Sequence, residues 1–487
     1  MPEDARLDDA LANQDLRPVP VRQRTWTWYN FMAVWMGMIH NIFNYEVAAS
    51  LIAVGMGVWQ AILTILTGNV LLLVVLYLNG RLGRRYGTPF PVVARAPFGV
   101  LGANIPALVR ALVAIGWFGI QAYLGSTALN ALLAAVFPWW GAMSAHISGV
   151  GLPLNGLISV LIYWCLFVLV VNHGMETVRR FEGWAGPVVL VVALGLIVWA
   201  VSVAHGFGPL FAQKSKFTSF GAFLPAYFAG VTSIMGTWAT LGLNIPDFTR
   251  FARSDRDQII GQALGLPLAT LVFSFMSILI TSGTIVAFGS AIWDPVTLIQ
   301  KFHNPLVIIL GAAALTVATL SVNVAANIVS PAYDLSNLLP RRIDFRTGAI
   351  LTIVIALVMM PWRLLANPTA IFDLLGWSGG FIAPATAILL VDCWVRRRGH
   401  LDVAQLYRRN GIYEYLNGFN WWAVAILVVG MLLSNIGSVV PGLKALYTYS
   451  YFVGFAFAFL AYWGLTAVTG EARPAYAPGA EGAAGDT

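Results

Sequence analysis

The chain has 487 residues, of which 59% are hydrophobic and only 10% are charged. An average soluble domain carries about 25% charged residues, so these charges are too few to cover a soluble surface. With a mean hydropathy of +0.76, this excludes a soluble enzyme, a disordered chain and a nucleic-acid binder despite the net charge of +7. A polytopic all-α membrane protein remains.

The first 25 residues are polar and mixed in charge, with no apolar h-region, so no cleavable signal peptide is expected. Apolar stretches of spanning length then recur at 29–53, 58–79, 104–136, 154–172, 184–204, 222–246, 262–288, 305–331, 348–364, 370–394, 420–440 and 446–468. These are twelve spans, an even number, so both termini lie on one side. The tail at 469–487 is rich in Ala, Gly and Pro and is expected to be disordered. Cys165 and Cys393 lie in apolar runs and suggest neither a disulfide framework nor a metal site.

Arginine and lysine choose the side. With a cytoplasmic N-terminus, 22 of the 28 basic residues fall in cytoplasmic tails and loops, and only Lys214, Lys216, Lys301, Arg363 and Lys444 fall opposite. Arg110 is left inside span 3, close enough to its end to snorkel. The basic balance is therefore topological and gives no reason to expect an acidic partner.

Span 1 reads WMGMIHNIFNYEVAAS (35–50), with His40, Asn41, Asn44 and Glu46 clustered after Gly37. Span 6 reads AGVTSIMGTWATLGLNIPDF (229–248), with Gly230, Gly236 and Gly242 before Pro246. Two interrupted helices five spans apart suit a five-plus-five inverted repeat with discontinuous helices 1 and 6. The boundaries are then a 1–25 tail, a first repeat at 26–205, a second at 220–395, and two further helices at 415–468. Unwound backbone is tolerated in mid-membrane only where it is buried or lines a cavity. Glycine also serves close helix packing, which is the competing explanation for span 6.

Span 3 contains AIGWFGIQAYLG (114–125), which puts Trp117 and Gln121 on one helix face at i, i+4. Trp238 lies beside the expected break in span 6. Span 8 contains ATLSVNVAANIVSPAYD (318–334), with Asn323 and Asn327 on one face and Ser321 nearby. Such residues often serve helix packing alone. Yet Asn41, Gln121 and Asn327 make three amides on three spans, alongside two Trp. That set suits a flat, neutral ring edged with N–H and C=O groups. Glu46 is the least expected residue, since an intramembrane carboxylate is by default functional. It could carry a coupling proton, partner a cation, bond His40, or lie solvated near the outer water. No H-E-x-x-H, G-x-S-x-G or Gly-rich phosphate loop supports catalysis.

The segments MGMIHNI (36–42), NGRLGRRYGTPFPVVARAPFGVLGANIPALVRAL (79–112), WFGIQ (117–121), NHGMETVRRFEGWAGP (172–187), TWATLGLNIPDFTRFA (237–252) and SVNVAANIVSPAYD (321–334) resemble the nucleobase–cation symporter-1 family. The wording is nearest its bacterial allantoin permease branch. The resemblance implies a LeuT-like twelve-helix symporter with no cofactor, working in the bacterial inner membrane. It implies that Trp117 and Trp238 sandwich a substrate ring and that Gln121 and Asn327 bond its edge. Asn41 and Thr237 are further implied contacts. It places a sodium site at the Gly37, His40 and Ala318 carbonyls and the Ser321 hydroxyl. Here Val322 stands where a sodium-coupled relative has a second hydroxyl, which weakens that site and points to protons, with Glu46 as the candidate carrier. The expected partners are a small-molecule substrate and the lipid bilayer, without nucleic acid, and the oligomeric state is left open. The implied substrate is an allantoin- or hydantoin-type ureide, with uracil as the alternative because Phe43 and Asn44 replace residues usual in the allantoin branch. A membrane receptor or enzyme binding the same ring is the rival from another class.

Overall fold

The computed structural model describes residues 8–468 apart from 9, 148, 173–190, 212–214, 291, 293 and 367–369. The expected disordered tail, Arg179, Arg180 and nearly all of the NHGMETVRRFEGWAGP segment lie outside these residues. The described regular structure is helical, as a bilayer requires of a chain that must satisfy its own backbone hydrogen bonds.

The helices in chain order are α1 (Trp28–Ile39), α2 (Ile42–Val54), α3 (Val58–Tyr86), α4 (Asn104–Val136), α5 (Leu154–Val171), α6 (Val191–Val203) and α7 (Phe220–Asn244). They continue with α8 (Asp255–Phe288), α9 (Pro305–Leu338), α10 (Phe345–Val358), α11 (Ala370–Leu390), α12 (Trp421–Asn435) and α13 (Ser450–Val468). Among the described residues, nine helices are long and apolar enough to cross a membrane. With α1 and α2 taken as one crossing, each of the twelve expected spans has a helix in its place. Helices α8 and α9 run past their expected ends, because polar turns at Asp255–Ala263 and Val329–Leu338 continue them.

The first crossing is broken where the sequence placed the break. α1 ends at Ile39 and α2 begins at Ile42, with Asn41 extended between them as the N-cap. The sixth crossing is not broken in mid-membrane, which corrects the expectation for helix 6. α7 is continuous from Phe220 to Asn244, and its only interruption is the turn at Ile245 before Pro246–Thr249. Its glycines serve packing instead. A Cβ on Gly236 would lie 2.6 Å from the Leu375 carbonyl oxygen, and one on Gly230 would lie 2.6 Å from the Thr64 methyl. Each glycine admits a neighbouring helix, as small residues do in membranes.

The helices sort into two groups by their contacts. α1 and α2 pack on α8, and α3 packs on α7. Ser277 donates to the Tyr45 carbonyl at 2.9 Å, and Asn79 donates to the Gly242 carbonyl at 2.8 Å. The second group sets α4 against α5, α9 and α10. There Tyr163 donates to the Thr316 carbonyl at 2.7 Å and Trp164 to the Ile353 carbonyl at 3.1 Å.

Several arginines that set the charge bias are structural at the arginine-rich end. Arg95 is fully buried and donates to the Leu406 and Leu11 carbonyls and to Asn337. Arg110 does not snorkel, which corrects the sequence expectation. It is fully buried, 3.8 Å from Asp334, and donates to Asn244 and to the Ala326 carbonyl, both at 3.2 Å. The acid on α9 holds it inward. Asn244 in turn donates to Ser330 and to Asp247, and Asp247 accepts from the Phe90 N–H at 2.7 Å. This network joins α4, α7 and α9 across the two groups.

Removing one member of a buried ion pair leaves the other uncompensated, at about 3–5 kcal/mol. Arg110→Met should therefore lower the melting temperature of the purified protein sharply. The double variant Arg110→Met/Asp334→Leu should recover most of the loss. Equal melting of the single and double variants would show that the pair contributes nothing to stability.

Candidate substrate and cation site

The break in the first crossing takes carbonyls out of the helical ladder. The Asn41 N–H donates to the Ile39 carbonyl at 3.0 Å, so it does not reach Gly37, its helical partner. The Asn44 N–H donates to the Asn41 side chain at 3.1 Å, so it does not reach His40. The carbonyls of Gly37 and His40 are thereby free to accept other partners. The two amide side chains hold the break from within. Asn41 donates to the Met38 carbonyl at 2.7 Å, and Asn44 donates to the Ile39 carbonyl at 3.0 Å.

α1 packs against α9, which carries Ala318 and Ser321. The Ser321 hydroxyl is fully buried and has no hydrogen-bond partner. A buried hydroxyl left so costs free energy unless a ligand or water completes it. Val322 is fully buried in the apolar core and supplies no oxygen. The His40 ring is also withdrawn, since its Nδ1 donates to the Met36 carbonyl and the ring meets Phe273 edge-on. The residues thus offer the free Gly37 and His40 carbonyls and one hydroxyl, a thin set for a sodium ion.

The two tryptophans flank the break. Trp238 on α7 lies edge-on to Trp35 on α1, with ring centres 5.4 Å apart. Trp117 on α4 lies edge-on to Phe43 on α2, with ring centres 4.7 Å apart. The Trp117 indole N–H donates to Ser378 on α11 at 2.7 Å, a contact the sequence did not suggest. Gln121, one turn along from Trp117, is buried with its side-chain oxygen unpartnered. Asn327 lies in a π-helical turn, Val324–Ile328, that interrupts α9, and such turns often mark functional positions. Asn327 donates to Asn323 at 2.7 Å, and Asn323 donates to the Phe118 carbonyl at 2.9 Å. A relay of amides therefore fixes Asn327 against α4. Thr237 is half-buried and donates to the Ser233 carbonyl at 3.0 Å.

Glu46 is not solvated at the membrane surface. It lies on α2 with 7% of its surface exposed, and its Oε2 has no hydrogen-bond partner. His40 is occupied elsewhere, and the charge that Glu46 faces is another acid, Asp294. Asp294 is held as the N-cap of Pro295–Gln300, accepting from the Val296 and Thr297 N–H groups at 3.0 Å.

A small cavity, with room for about one water molecule, lies beside Trp238 between α2, α3, α7 and α8. Asn44, Asn69, Thr237, Thr270 and Ser274 give it polar walls. Asn69, Thr270 and Ser274 were not singled out from the sequence. Their only sign there was a polar side chain within an apolar span.

The family profile described as "Permease for cytosine/purines, uracil, thiamine, allantoin" matches residues 18–454. The chain is 47% identical to an allantoin permease of Bacillus subtilis over 460 residues, covering 94% of each chain. It is 35% identical to a purine-uracil permease of Arabidopsis thaliana, over 95% of this chain and 78% of that one. Its fold is similar to that of a nucleobase-cation-symport-1 family transporter, Mhp1, solved in a closed conformation with bromovinylhydantoin bound. That match has a TM-score of 0.81 at 24% identity and covers 96% of this chain and 98% of that one. The sodium-coupled sialic acid symporter shares the fold more distantly, at a TM-score of 0.59. A broken first helix flanked by two tryptophans thus sits in a chain matched nearly end to end, and the protein belongs to the family of permeases for cytosine/purines, uracil, thiamine and allantoin.

Proposed function

We propose that this transporter imports an allantoin- or hydantoin-type cyclic ureide by alternating access, coupled to protons or only weakly to sodium. The observation that carries the reading is the pair of tryptophans on either side of the helix 1 break, with an unpartnered Gln121 oxygen beside one of them. Trp117 and Trp238 would hold the ring by its faces, while Gln121 and Asn327 bond its imide edge. Asn41 keeps the break in shape, and Thr237 lies beside Trp238. The absence of a basic residue among these contacts favours a neutral ring. Resemblance to the allantoin permease of Bacillus subtilis supports the same substrate class. Uracil is the second reading. Phe43, edge-on to Trp117, narrows the space beside that ring and favours a smaller substrate.

Transport would move α1, α2, α3, α7 and α8 as a bundle against α4, α5, α9 and α10. Ligands that complete contacts on both groups favour the closed arrangement, because only there are all contacts made. The sodium candidates Gly37, His40, Ala318 and Ser321 span both groups but lack a second hydroxyl at Val322. Glu46 has an unpartnered oxygen and no cationic neighbour among its described contacts, which makes it the candidate to carry the coupling proton. The arginine bias supports cytoplasmic termini and a plasma-membrane location.

Trp117→Ala should abolish ring binding in a titration of the purified protein. Gln121→Ala and Asn327→Ala should each weaken it by about 1–3 kcal/mol, the cost of leaving a buried partner unpaired. Unchanged affinity in all three would remove the site from this position. In proteoliposomes, a proton gradient should drive accumulation of labelled allantoin, and Glu46→Gln should lose it while retaining counterflow. Full proton-driven accumulation by Glu46→Gln would exclude that role. Strong stimulation by a sodium gradient at fixed pH and voltage would exclude proton coupling.

A further inference from the structure

A tryptophan can hold a flat ring by its face only if its own plane is fixed. The outer torsion of a tryptophan side chain is broad, so the backbone alone does not set that plane. In Trp117 two contacts set it. Phe43 meets the indole edge-on, with ring centres 4.7 Å apart. The indole N–H donates to the Ser378 hydroxyl at 2.7 Å. Trp117 is 3% exposed and Ser378 is fully buried, so the bond is shielded from bulk water.

The serine is itself held. Its hydroxyl donates to the Leu374 carbonyl at 2.6 Å, one turn back on α11. A serine bonded back to its own helix has its proton committed, which leaves a lone pair to face the indole. The bond therefore runs one way, from Trp117 through Ser378 to the backbone of α11. It also consumes the only polar group of the indole. In this arrangement Trp117 offers a ligand a face, and any bond to the ligand's edge falls to other side chains such as Gln121.

The same turn of α11 meets the helix of the second tryptophan. A Cβ on Gly236 of α7 would lie 2.6 Å from the Leu375 carbonyl oxygen and 3.7 Å from the Gly379 nitrogen. On the other side, a Cβ on Gly116 of α4 would lie 3.8 Å from a Leu374 methyl. Leu375 shares one apolar cluster with Trp117, Phe43 and Ile234. This turn of α11 thus lies against both helices that carry a tryptophan of the site. We propose that Ser378 is a positioning residue for ring binding, which fixes the plane of Trp117 from α11. It acts through Trp117 and not by contact with the ligand. The role in binding rests on the reading of Trp117 as a ring contact, whereas the hold on the indole does not.

The test labels the tryptophan indoles of the full-length protein in detergent with a nitrogen isotope and follows their N–H resonances by NMR. The Trp117 resonance is the one missing from Trp117→Phe. Allantoin and uracil are titrated in parallel. Ser378→Ala should move the Trp117 resonance upfield and weaken allantoin binding by about fivefold, because a loosened indole must be ordered when the ring binds. Ser378→Thr, which keeps the hydroxyl, should hold both near their starting values. Ser378→Cys, a weaker acceptor, replaces Ser378→Ala if that variant does not fold. In a Trp117→Phe background, which has no N–H to hold, Ser378→Ala should leave the affinity unchanged. The same loss in that background would overturn the proposal, since the serine would then act by a route other than the indole. An unmoved Trp117 resonance in Ser378→Ala, or a moved one with unchanged affinity, would overturn it as well. Binding of neither ligand by the unaltered protein would instead sink the ring-binding reading, and the Trp117 resonance would still report whether Ser378 holds the indole.

Discussion

The site depends on one constraint: a chain in lipid must satisfy its own backbone, and here it is interrupted in mid-membrane. The break between Ile39 and Ile42 is tolerable because Asn41 and Asn44 replace the lost helical bonds with side-chain ones. That repair is incomplete by design of the sequence. It re-pairs Met38 and Ile39 but leaves the Gly37 and His40 carbonyls without their helical donors. Two asparagines three residues apart thus turn a helix defect into a pair of directed acceptors. Trp35 before the break and Phe43 after it then present the two tryptophans of the site to opposite flanks.

Charge is arranged around that break with the same economy. Arg110 and Asp334 are buried together, and Asn244 links them to the end of α7. Their contact, a charge pair at 3.8 Å, lies within the group of α4 and α9, and only the Asn244 hydrogen bond carries it across to α7. Glu46 has no such partner among the described residues. One buried acid is paired with an arginine, while the other keeps an unpartnered oxygen and has another acid, Asp294, nearby. The difference lies in the neighbours, an arginine beside Asp334 and a second acid, Asp294, near Glu46.

Much of this was legible in the sequence. The twelve spans followed from length and hydropathy, and the helix 1 break followed from polar residues clustered after Gly37. Trp117, Gln121 and Asn327 stood out through i, i+4 spacing. Span 6 was misread because glycine has two uses in a membrane helix. The sequence cannot distinguish an unwound turn from close packing, and only the approach of Leu375 to Gly236 decides it. Arg110 was misread for a related reason. Its depth in span 3 was visible, but the acid that holds it inward is more than 200 positions along the chain. Ser378, Asn69 and Thr270 are single polar residues in apolar runs, and what they face is set by tertiary contacts alone.

The helix grouping also bears on how one fold can be driven by different ions. A ligand between α1 and α9 touches both groups, so its affinity depends on their relation and it can drive motion. Coupling is therefore a matter of where the oxygens sit, not of how many there are. Between α1 and α9 the oxygen set is thin, with Val322 apolar and buried beside Ser321. Glu46 lies on the half of the broken helix that follows the break, buried and with an unpartnered oxygen, so the same interruption that frees the Gly37 and His40 carbonyls also starts the helix that carries it.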